Sequence, residues 1–267
     1  MAESPLPADH ARPLPASLAA GLRVSVVMPA YEAAETIERS MQSVLLQTHQ
    51  DVELIVVDDC SHDGTWALIE QAAASDPRVM ALRQASNGGV AAARNAGIAA
   101  ATGRYLAFLD SDDWWRQDKL QVQLAHMQQA GAQVSYSVYQ RVTGEGQLIS
   151  TVRPPLSVRY GDMLKSNCIG NLTGLYDRCL GDGRFEKVGH EDYVFWLAMV
   201  RRAGRAVCAG YPEPLAFYLV RPGSLSANKL RAARWQWHIY RRVEQLGWLR
   251  SGWYFMHYVA RALAKRL

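Results

Sequence analysis

The sequence predicts an α/β fold, in which helices flank a mostly parallel sheet and a helical extension follows at the C-terminal end. Short apolar runs typical of buried strands alternate with helical stretches at the spacing of βαβ units. Three of the apolar runs end in polar or acidic clusters, and the carboxyl ends of parallel strands meet at one edge of a sheet. The last part of the chain is basic and aromatic, and Gly247 and Ser251-Gly252 divide it into two helices.

The first half of the chain carries the regular alternation. Four apolar runs predict strands at 24–31, 52–59, 78–84 and 104–110. Three intervening stretches predict helices at 36–47, 65–74 and 87–103. The order strand, helix, strand therefore repeats, as expected for a parallel sheet covered on both faces.

The second half is less regular. A hairpin is expected at 134–142 and 147–152, and a strand at 214–221. HEDYVFWLAMVRRAG begins acidic and ends basic before Gly204, which suits the dipole of a helix at 190–204. The two helices of the C-terminal extension are expected near 229–246 and 251–266.

Composition describes an ordinary globular protein. The chain has 267 residues, 49% hydrophobic and 20% charged, which is enough to bury a substantial core. Its four cysteines lie far apart without a CxxC pair, which favours a reduced, cytoplasmic protein. Residues 1–23 are rich in Ala and Pro and predict a disordered leader. No run of 18 apolar residues occurs, so no membrane-spanning helix is expected.

Charge is distributed unevenly. From Lys229 onward there are nine Lys or Arg residues against one acid, Glu244, so this tail carries +8 and the remainder −4 of the net +4. The tail also holds four of the eight tryptophans. A basic, aromatic tail on an acidic body favours an anionic membrane surface as partner. The alternative is a helical pair that packs its aromatic side chains on the rest of the protein.

Three aspartates crowd the end of the fourth predicted strand, in LDSDDWW. Asp110 and Asp112 stand two positions apart on extended chain, so their side chains lean to the same side and can address one divalent cation. In the alternative interpretation, Asp110 and Asp113 cap a helix that begins near Trp114.

An ordered set of motifs resembles inverting nucleotide-sugar glycosyltransferases with the GT-A fold, the large glycosyltransferase family two. The motifs are PAYEAAETIERSMQSVLLQT, VVDDCSHDGT, NGGVAAARNAGIAAATGRYLAFLDSDDWW and HEDYVFWL. The resemblance covers about Val24 to Ser226 and is densest up to Trp115. It implies a GT-A type, Rossmann-like catalytic domain at 24–228, with a nucleotide-binding half at 24–115 and an acceptor-binding half at 116–228. The segment 229–267 then forms a basic, aromatic helical tail.

For the donor site, the resemblance implies that Asp110 and Asp112 hold Mn²⁺ or Mg²⁺ against the diphosphate, with Asp110 and Ser111 also facing the nucleotide. It further implies that Asp58 or Asp59, with Asp59 preferred, accepts from the imide N–H of a uracil. The residues expected to wall the base and ribose are Pro29, Ala30, Tyr31 and Glu32. Turn and capping chemistry is the alternative role for the aspartates of DDCSHDGT, and it is preferred for Asp63.

The segment Asn87-Gly88-Gly89 has two possible roles. By the resemblance, Asn87 and Gly88 line the donor site, and Arg94 reaches the nucleotide or the aspartates. Alternatively, the glycines simply permit tight entry into a helix.

The second acidic cluster lies at His190-Glu191-Asp192. Inverting transfer needs a base that takes the proton of the acceptor hydroxyl. The resemblance assigns this role to Asp192, with Glu191 as neighbour or alternate. Carboxylates at a helix N-terminus are also ordinary partners of the helix dipole. The alternative is therefore that Glu191 and Asp192 only stabilise the start of the helix.

One departure concerns Arg221. Many relatives carry a His near this position, whereas an Arg can pair with phosphate oxygens but cannot ligate a metal. A third protein ligand for the metal is therefore in doubt.

These features predict an enzyme that moves a sugar from a nucleotide-diphosphate donor, most readily a UDP-sugar, to a carbohydrate acceptor with inversion. An acceptor linked to polyprenyl diphosphate fits the basic tail, and we expect a cytoplasmic protein at the inner face of the membrane that makes cell-surface polysaccharide. The alternatives are a nucleotidyltransferase, or an inactive protein that binds nucleotide-sugar or nucleic acid. PAYEAAET lacks the Gly-rich basic loop of the first alternative, and the intact acidic motifs disfavour the second, so no nucleic-acid partner is expected.

Overall fold

The structure is a computed structural model that describes residues 21–220 and 229–264, with side chains described for 21–220 and 231–260. In this part of the chain ten strands form one sheet. They are β1 Val24–Ala30, β2 Val52–Asp58, β3 Val79–Arg83, β4 Tyr105–Phe108, β5 Trp114–Trp115, β6 Val134–Val142, β7 Leu148–Val152, β8 Ser157–Val158, β9 Leu175–Asp177 and β10 Ala206–Leu219.

The strand order is β3-β2-β1-β4-β9-β6-β10-β5, with β7 beside β6 and β8 beside β10. Strands β3, β2, β1 and β4 are mutually parallel, and β6 and β10 form a second parallel pair. Strand β9 lies antiparallel between β4 and β6, and β5, β7 and β8 are also antiparallel to their neighbours. The predicted mostly parallel α/β sheet is therefore confirmed.

Helices cover both faces of the sheet. They are α1 Ile37–Leu45, α2 Thr65–Ser75, α3 Val90–Ala100, α4 Lys119–Ala130, α5 Tyr160–Met163, α6 Glu191–Ala203, α7 Lys229–His238 and α8 Trp248–Ala264. A π-helical turn, Ile239–Val243, follows α7. Alternate residues of β1 enter two separate cores, Val27 in one and Val26 and Met28 in the other. This alternation explains the continuous apolar run, because both faces of the strand are buried.

An aromatic cluster joins β4 to α6. Phe108 meets Phe195 and Trp196 edge-on, with ring centroids 5.1 Å and 6.1 Å apart. Gly174 precedes β9, and a Cβ there would lie only 2.0 Å from Trp196. Glycine is therefore required where β9 passes beneath the indole, and α6 is held firmly against the sheet.

Several local predictions were wrong. No helix begins near Trp114: residues 114–115 form β5, which pairs with Phe217 and Ala216, and the helix starts at Lys119. Strand β10 starts at Ala206, well before the predicted 214, because register shifts near Pro214 let the strand continue past its prolines. Leu22 and Arg23 fall within the predicted leader, yet Leu22 is buried and Arg23 pairs with Glu53 at 3.1 Å. Residues 1–20 of that leader lie outside the described part.

The C-terminal extension packs on the rest of the protein through its first segment. Ile239 and Tyr240 are fully buried, and Tyr240 donates to the carbonyl of Leu164 at 2.5 Å. Glu244 forms an ion pair with Arg201. No helix in the described residues is long and apolar enough to cross a membrane.

Candidate active site

Two loops at the carboxyl ends of β1 and β2 are tied together. The backbone N–H of Glu32 donates to Ser61 Oγ at 3.1 Å, and the Glu32 carboxylate accepts from the N–H of His62 at 2.9 Å. Asp63 accepts from the N–H groups of Thr65 and Ala34, which is the turn chemistry predicted for it. Four residues were expected to surround the base and ribose. Pro29 and Ala30 are buried within β1, while Tyr31 and Glu32 are exposed beyond its end.

Asp58 ends β2 and is fully buried. Its carboxylate accepts from the N–H of Ser61 and forms an ion pair with Arg83 at 3.2 Å. A buried, paired carboxylate that closes its own loop has a structural role.

Asp59 anchors the glycine loop that precedes α3. Its Oδ1 accepts from Gln84 Nε2 at 2.6 Å and from the N–H of Gly88 at 2.8 Å, and its Oδ2 accepts from the N–H of Gly89 at 2.8 Å. A carboxylate offers about four acceptor positions, so these bonds leave about one for a ligand. Gly89 has φ of +86°, a conformation that side chains disfavour, which agrees with the tight helix entry weighed from the sequence. Asn87 is exposed beside this loop.

Arg94 connects α3 with the Asp-X-Asp segment. Its Nη2 lies 2.6 Å from Asp110 Oδ1, and its guanidinium rests 5.0 Å from the ring of Phe185. The side chain is buried, and its Nε has no hydrogen-bond partner in the described region. Arg94 was expected to reach either the nucleotide or the aspartates, and the structure shows its contact with Asp110.

The three aspartates of LDSDDWW have different environments. Asp110 is 34% exposed, and Ser111 and Asp112 are partly buried. Asp113 is buried and accepts from the N–H of Leu219 at 2.9 Å, so it fixes the end of β10 instead of capping a helix. Across the described residues, no group of three or more His, Cys, Asp or Glu side chains is placed to share a metal ion.

Asp192 lies in the first turn of α6, directly after Glu191. It keeps part of its surface open, yet burial raises the pKa of its carboxyl, while nearby Arg94 lowers that pKa and Asp110 raises it. The charges of Asp192, Arg94 and Asp110 are thus close enough to influence one another. Glu191 accepts from the N–H of Gly189 at 3.3 Å, a bond that closes the turn before the helix.

Asp192 also lines an open cleft of about 720 Å³. The other lining residues come mainly from the β6–β7 hairpin and from the segment before β9: Tyr139, Arg141, Ser150, Thr151, Val152, Arg153, Asn167, Gly170, Asn171, Leu172 and Tyr218. Burial raises the pKa of Tyr139 to about 12, so its hydroxyl is a neutral hydrogen-bonding group at pH 7. This volume is within the roughly 300–1,000 Å³ typical of small-molecule pockets.

Sequence reasoning missed the residues of this cleft. Tyr139 and Arg141 belong to a segment recognised only as a hairpin, and their spacing of two places them on one face of β6. That alternation was the available signal, but it does not tell which face of β6 lines the cleft beside Asp192. Arg221, the residue expected near the diphosphate, lies outside the described part of the chain.

The sheet order and the acidic groups at the carboxyl ends of β2 and β4 define a GT-A fold of the kind that nucleotide-sugar glycosyltransferases use. The sequence pattern described as "Glycosyl transferase family 2" matches residues 25–201. The chain belongs to glycosyl transferase family 2, as the resemblance predicted, and this membership disagrees with the nucleotidyltransferase alternative.

Two relatives align over most of their length. A "putative teichuronic acid biosynthesis glycosyltransferase", TuaG of Bacillus subtilis (strain 168), is 38% identical over 91% of this chain and 97% of its own. WfaP of Escherichia coli, a "UDP-Glc:alpha-D-GlcNAc-diphosphoundecaprenol beta-1,3-glucosyltransferase", is 34% identical over 78% of this chain and 81% of its own. Both identities are high enough to show a common family.

The fold is also found in a solved structure. The crystal structure of S. aureus TarS 1–349 in complex with UDP-GlcNAc matches with a TM-score of 0.69 and 20% identity, over 91% of this chain and 73% of that one. At this identity the match shows the GT-A fold alone.

Proposed function

We propose that this glycosyltransferase transfers a sugar from a UDP-sugar, with inversion, to a sugar acceptor carried on a polyprenyl diphosphate, in the synthesis of a cell-surface polysaccharide. The observations that carry the proposal are the ion pair of Arg94 with Asp110 at 2.6 Å and the effect of both charges on the pKa of Asp192, which together link the expected donor groups to the expected base. The names of the relatives TuaG and WfaP support the substrate classes.

The donor is assigned to the edge formed by β1, β2 and the Asp-X-Asp segment. Tyr31 is exposed there and offers a ring on which a base can stack. Asp59 retains about one acceptor position, which suits a single imide N–H. We assign Glu32 a supporting role, because its carboxylate already holds the N–H of His62.

Asp110 and Asp112 fit a divalent cation. Mg²⁺ is commonly bound through one or two carboxylates together with the phosphates of its substrate, so two carboxylates without a third protein ligand agree with the site. Hard oxygen donors also favour Mg²⁺ or Mn²⁺ over Zn²⁺. When bound there, the ion supplies positive charge against the diphosphate as it leaves.

Asp192 is proposed as the base. The hydroxyl oxygen of the acceptor attacks the anomeric carbon, the bond from that carbon to the diphosphate oxygen breaks, and its electron pair leaves with UDP. The proton of the hydroxyl passes to Asp192. Burial raises the pKa of Asp192, which makes the carboxylate a stronger base than an exposed Asp, and Arg94 offsets part of that rise.

The cleft beside Asp192 is proposed to receive the acceptor. Tyr139 and Tyr218 offer rings and hydroxyls to a sugar, and Arg141 and Arg153 add positive charge to the lining. The described residues give neither arginine an acidic partner within ion-pair distance. An acceptor that carries a diphosphate is therefore electrostatically matched to this cleft.

We further propose that the catalytic domain extends over 24–228, with its nucleotide-binding half at 24–115, and that the tail 229–267 holds it at the inner face of the cell membrane. Trp248, Leu249 and Trp253 of α8 are 70%, 91% and 56% exposed. Partly buried Tyr254 and Phe255 pack instead toward the first segment of the tail, against Tyr240 and Trp237. An exposed apolar face on a basic tail is the pattern of an interfacial helix.

The proposed donor is tested by thermal denaturation with UDP, GDP and CDP sugars, each with and without Mn²⁺. UDP-sugars are expected to raise the melting temperature most, and only in the presence of the ion, because a bound ligand stabilises the folded state by mass action. Equal stabilisation by all nucleotides, or none by UDP-sugars, would contradict the assignment.

A further inference from the structure

The C-terminal extension contains a pocket of about 340 Å³ that the proposed reaction does not use. It lies where α7, the π-turn and α8 meet, and its lining is Arg234, Trp237, His238, Arg241, Arg242 and Trp248. Three arginines, a histidine and two tryptophans thus line one pocket, and the rings of Trp237 and Trp248 lie 5.9 Å apart. Such a lining suits a phosphate group, because arginine forks match phosphate oxygens.

The positive charge of this pocket is not balanced locally. Glu244 is the single acid from residue 229 onward, and it is held by Arg201 and the hydroxyl of Tyr160. Arg241 stacks over the ring of Trp248, with 4.5 Å between its Cζ and the ring centroid. The described residues place no carboxylate within ion-pair distance of Arg234, Arg241 or Arg242, so an anion in this pocket would be attracted by all three.

The pocket faces away from the catalytic body. Residues of α7 and the π-turn that point toward the body are buried, namely Gln236, Ile239 and Tyr240, and Trp235 meets His190 edge-on at 5.3 Å. Arg234, His238 and Arg242 are exposed on the other side of the same segment. This pocket shares no lining residue with the cleft beside Asp192, so the proposed reaction does not account for it.

The neighbouring surface indicates the source of the phosphate. Trp248 belongs both to the pocket and to the exposed apolar face of α8, which continues through Leu249, Trp253 and Met256. A phosphate site that borders an apolar strip has the two chemistries of a phospholipid, a headgroup phosphate joined to acyl chains.

We propose that this pocket binds the headgroup phosphate of a membrane phospholipid, while the exposed face of α8 lies in the boundary between headgroups and acyl chains. The inference rests on the proposed membrane association and adds to it a discrete site. If the site is discrete, the loss of vesicle binding depends on which arginines are replaced. If the tail is only a diffuse basic surface, the loss depends on the number of arginines replaced.

The experiment measures partition of the full chain onto vesicles of phosphatidylcholine, with and without phosphatidylglycerol. Arg234→Gln/Arg242→Gln removes two arginines of the pocket, and Arg159→Gln/Arg250→Gln removes two exposed arginines outside it, for the same change in charge. We expect the first pair to weaken partition onto anionic vesicles about tenfold more than the second, because only the first pair would lose direct bonds to a headgroup phosphate in addition to the general attraction to the anionic surface. Equal losses for both pairs, or no binding by the wild type, would overturn the site.

Two further measurements complete the experiment. The first distinguishes a lipid phosphate from free phosphate, and the second tests the proposed reaction independently of membrane binding. A short-chain phosphatidylglycerol below its micelle concentration is expected to raise the melting temperature of the wild type but not of Arg234→Gln/Arg242→Gln. If inorganic phosphate at the same concentration does as well, the lipid is not the ligand and the proposal fails. Sugar transfer by the wild type to a water-soluble acceptor is measured without vesicles, so failure of the proposed reaction is recognised separately.

Discussion

At the scale of single residues, the carboxylates of the site have distinct physical roles although they look alike in the sequence. Asp58 and Asp113 are buried and hold backbone or arginine partners, so they shape the loops. Asp110 is partly exposed with one oxygen on Arg94, and Asp192 lines a cleft. Burial and pairing, which the sequence does not display, distinguish Asp58 and Asp113 from Asp110 and Asp192.

Asp192→Asn tests the proposed base. The amide keeps the size of the side chain but cannot accept the proton, so transfer is expected to fall about two to four orders of magnitude. The dissociation constant for UDP-sugar is expected to change little, and it is measured by titration calorimetry. Because the raised pKa leaves this carboxyl protonated at a higher pH than an ordinary Asp, the wild-type rate should also decline on acidification earlier than for an exposed Asp.

The control for this prediction is Glu191→Gln, which changes the neighbouring carboxylate. It should retain most of the transfer rate, because Glu191 closes a turn through Gly189. If Glu191→Gln loses transfer and Asp192→Asn retains it, the roles of the two residues are reversed.

Asp112→Ala tests the proposed metal site. Loss of one of two carboxylate ligands should abolish measurable transfer and weaken UDP binding in Mn²⁺, because the diphosphate loses its counter-charge. Asp76→Ala is the matched control, since Asp76 pairs with Arg78 beside β3. Unchanged activity of Asp112→Ala, or full wild-type activity in excess EDTA, would refute the metal assignment.

At the scale of elements, close packing between α3 and β1 positions the donor edge. A Cβ on Gly97 would lie 2.4 Å from Val27 Cγ1, so α3 approaches the sheet more closely than an alanine allows. This approach places Arg94, one turn earlier in the same helix, beside Asp110.

Gly97→Ala is therefore expected to lower the free energy of unfolding by about 1–3 kcal/mol through overpacking. Gly252→Ala in α8 places a Cβ with nothing within 4 Å of it. This variant should raise the free energy of unfolding by up to about 1 kcal/mol, because alanine has the higher helix propensity. Urea denaturation of both variants gives the comparison. Destabilisation of the same size in both would show that contact with Val27 is not the cause.

The elements also show what the sequence can predict. β1, β2 and β4 were recognisable because strands buried on both faces are continuous apolar runs. β5 has two residues and β9 three, too few for any periodicity, and both pair with strands distant in the chain. The same reason applies to the site: the aspartates were found as local motifs, but the contact of Arg94 with Asp110 and the cleft beside Asp192 depend on packing between separate elements.

At the scale of the whole molecule, the proposed chemistry and the proposed membrane attachment belong to two different regions. The proposed donor edge and acceptor cleft belong to the GT-A sheet, whereas the excess positive charge belongs to the tail. The first segment of the tail is buried against α6 through Trp235, Ile239 and Tyr240, and α8 presents Trp248 and Trp253 outward. Of the two alternatives weighed for the tail, the structure shows packing of its first segment, whereas contact of α8 with a membrane stays a proposal.

The central claim is sugar transfer from a UDP-sugar to a sugar diphosphate with inversion. The most direct measurement incubates the full chain with UDP-glucose, Mn²⁺ and an α-N-acetylglucosaminyl diphosphate that bears a short alkyl chain, and identifies the products by mass spectrometry and proton NMR. The account predicts a disaccharide with a new β-linkage and one UDP released for each bond formed. An α-linked product, transfer of a nucleotide to the acceptor, or no transfer from any UDP-sugar despite bound donor would contradict it.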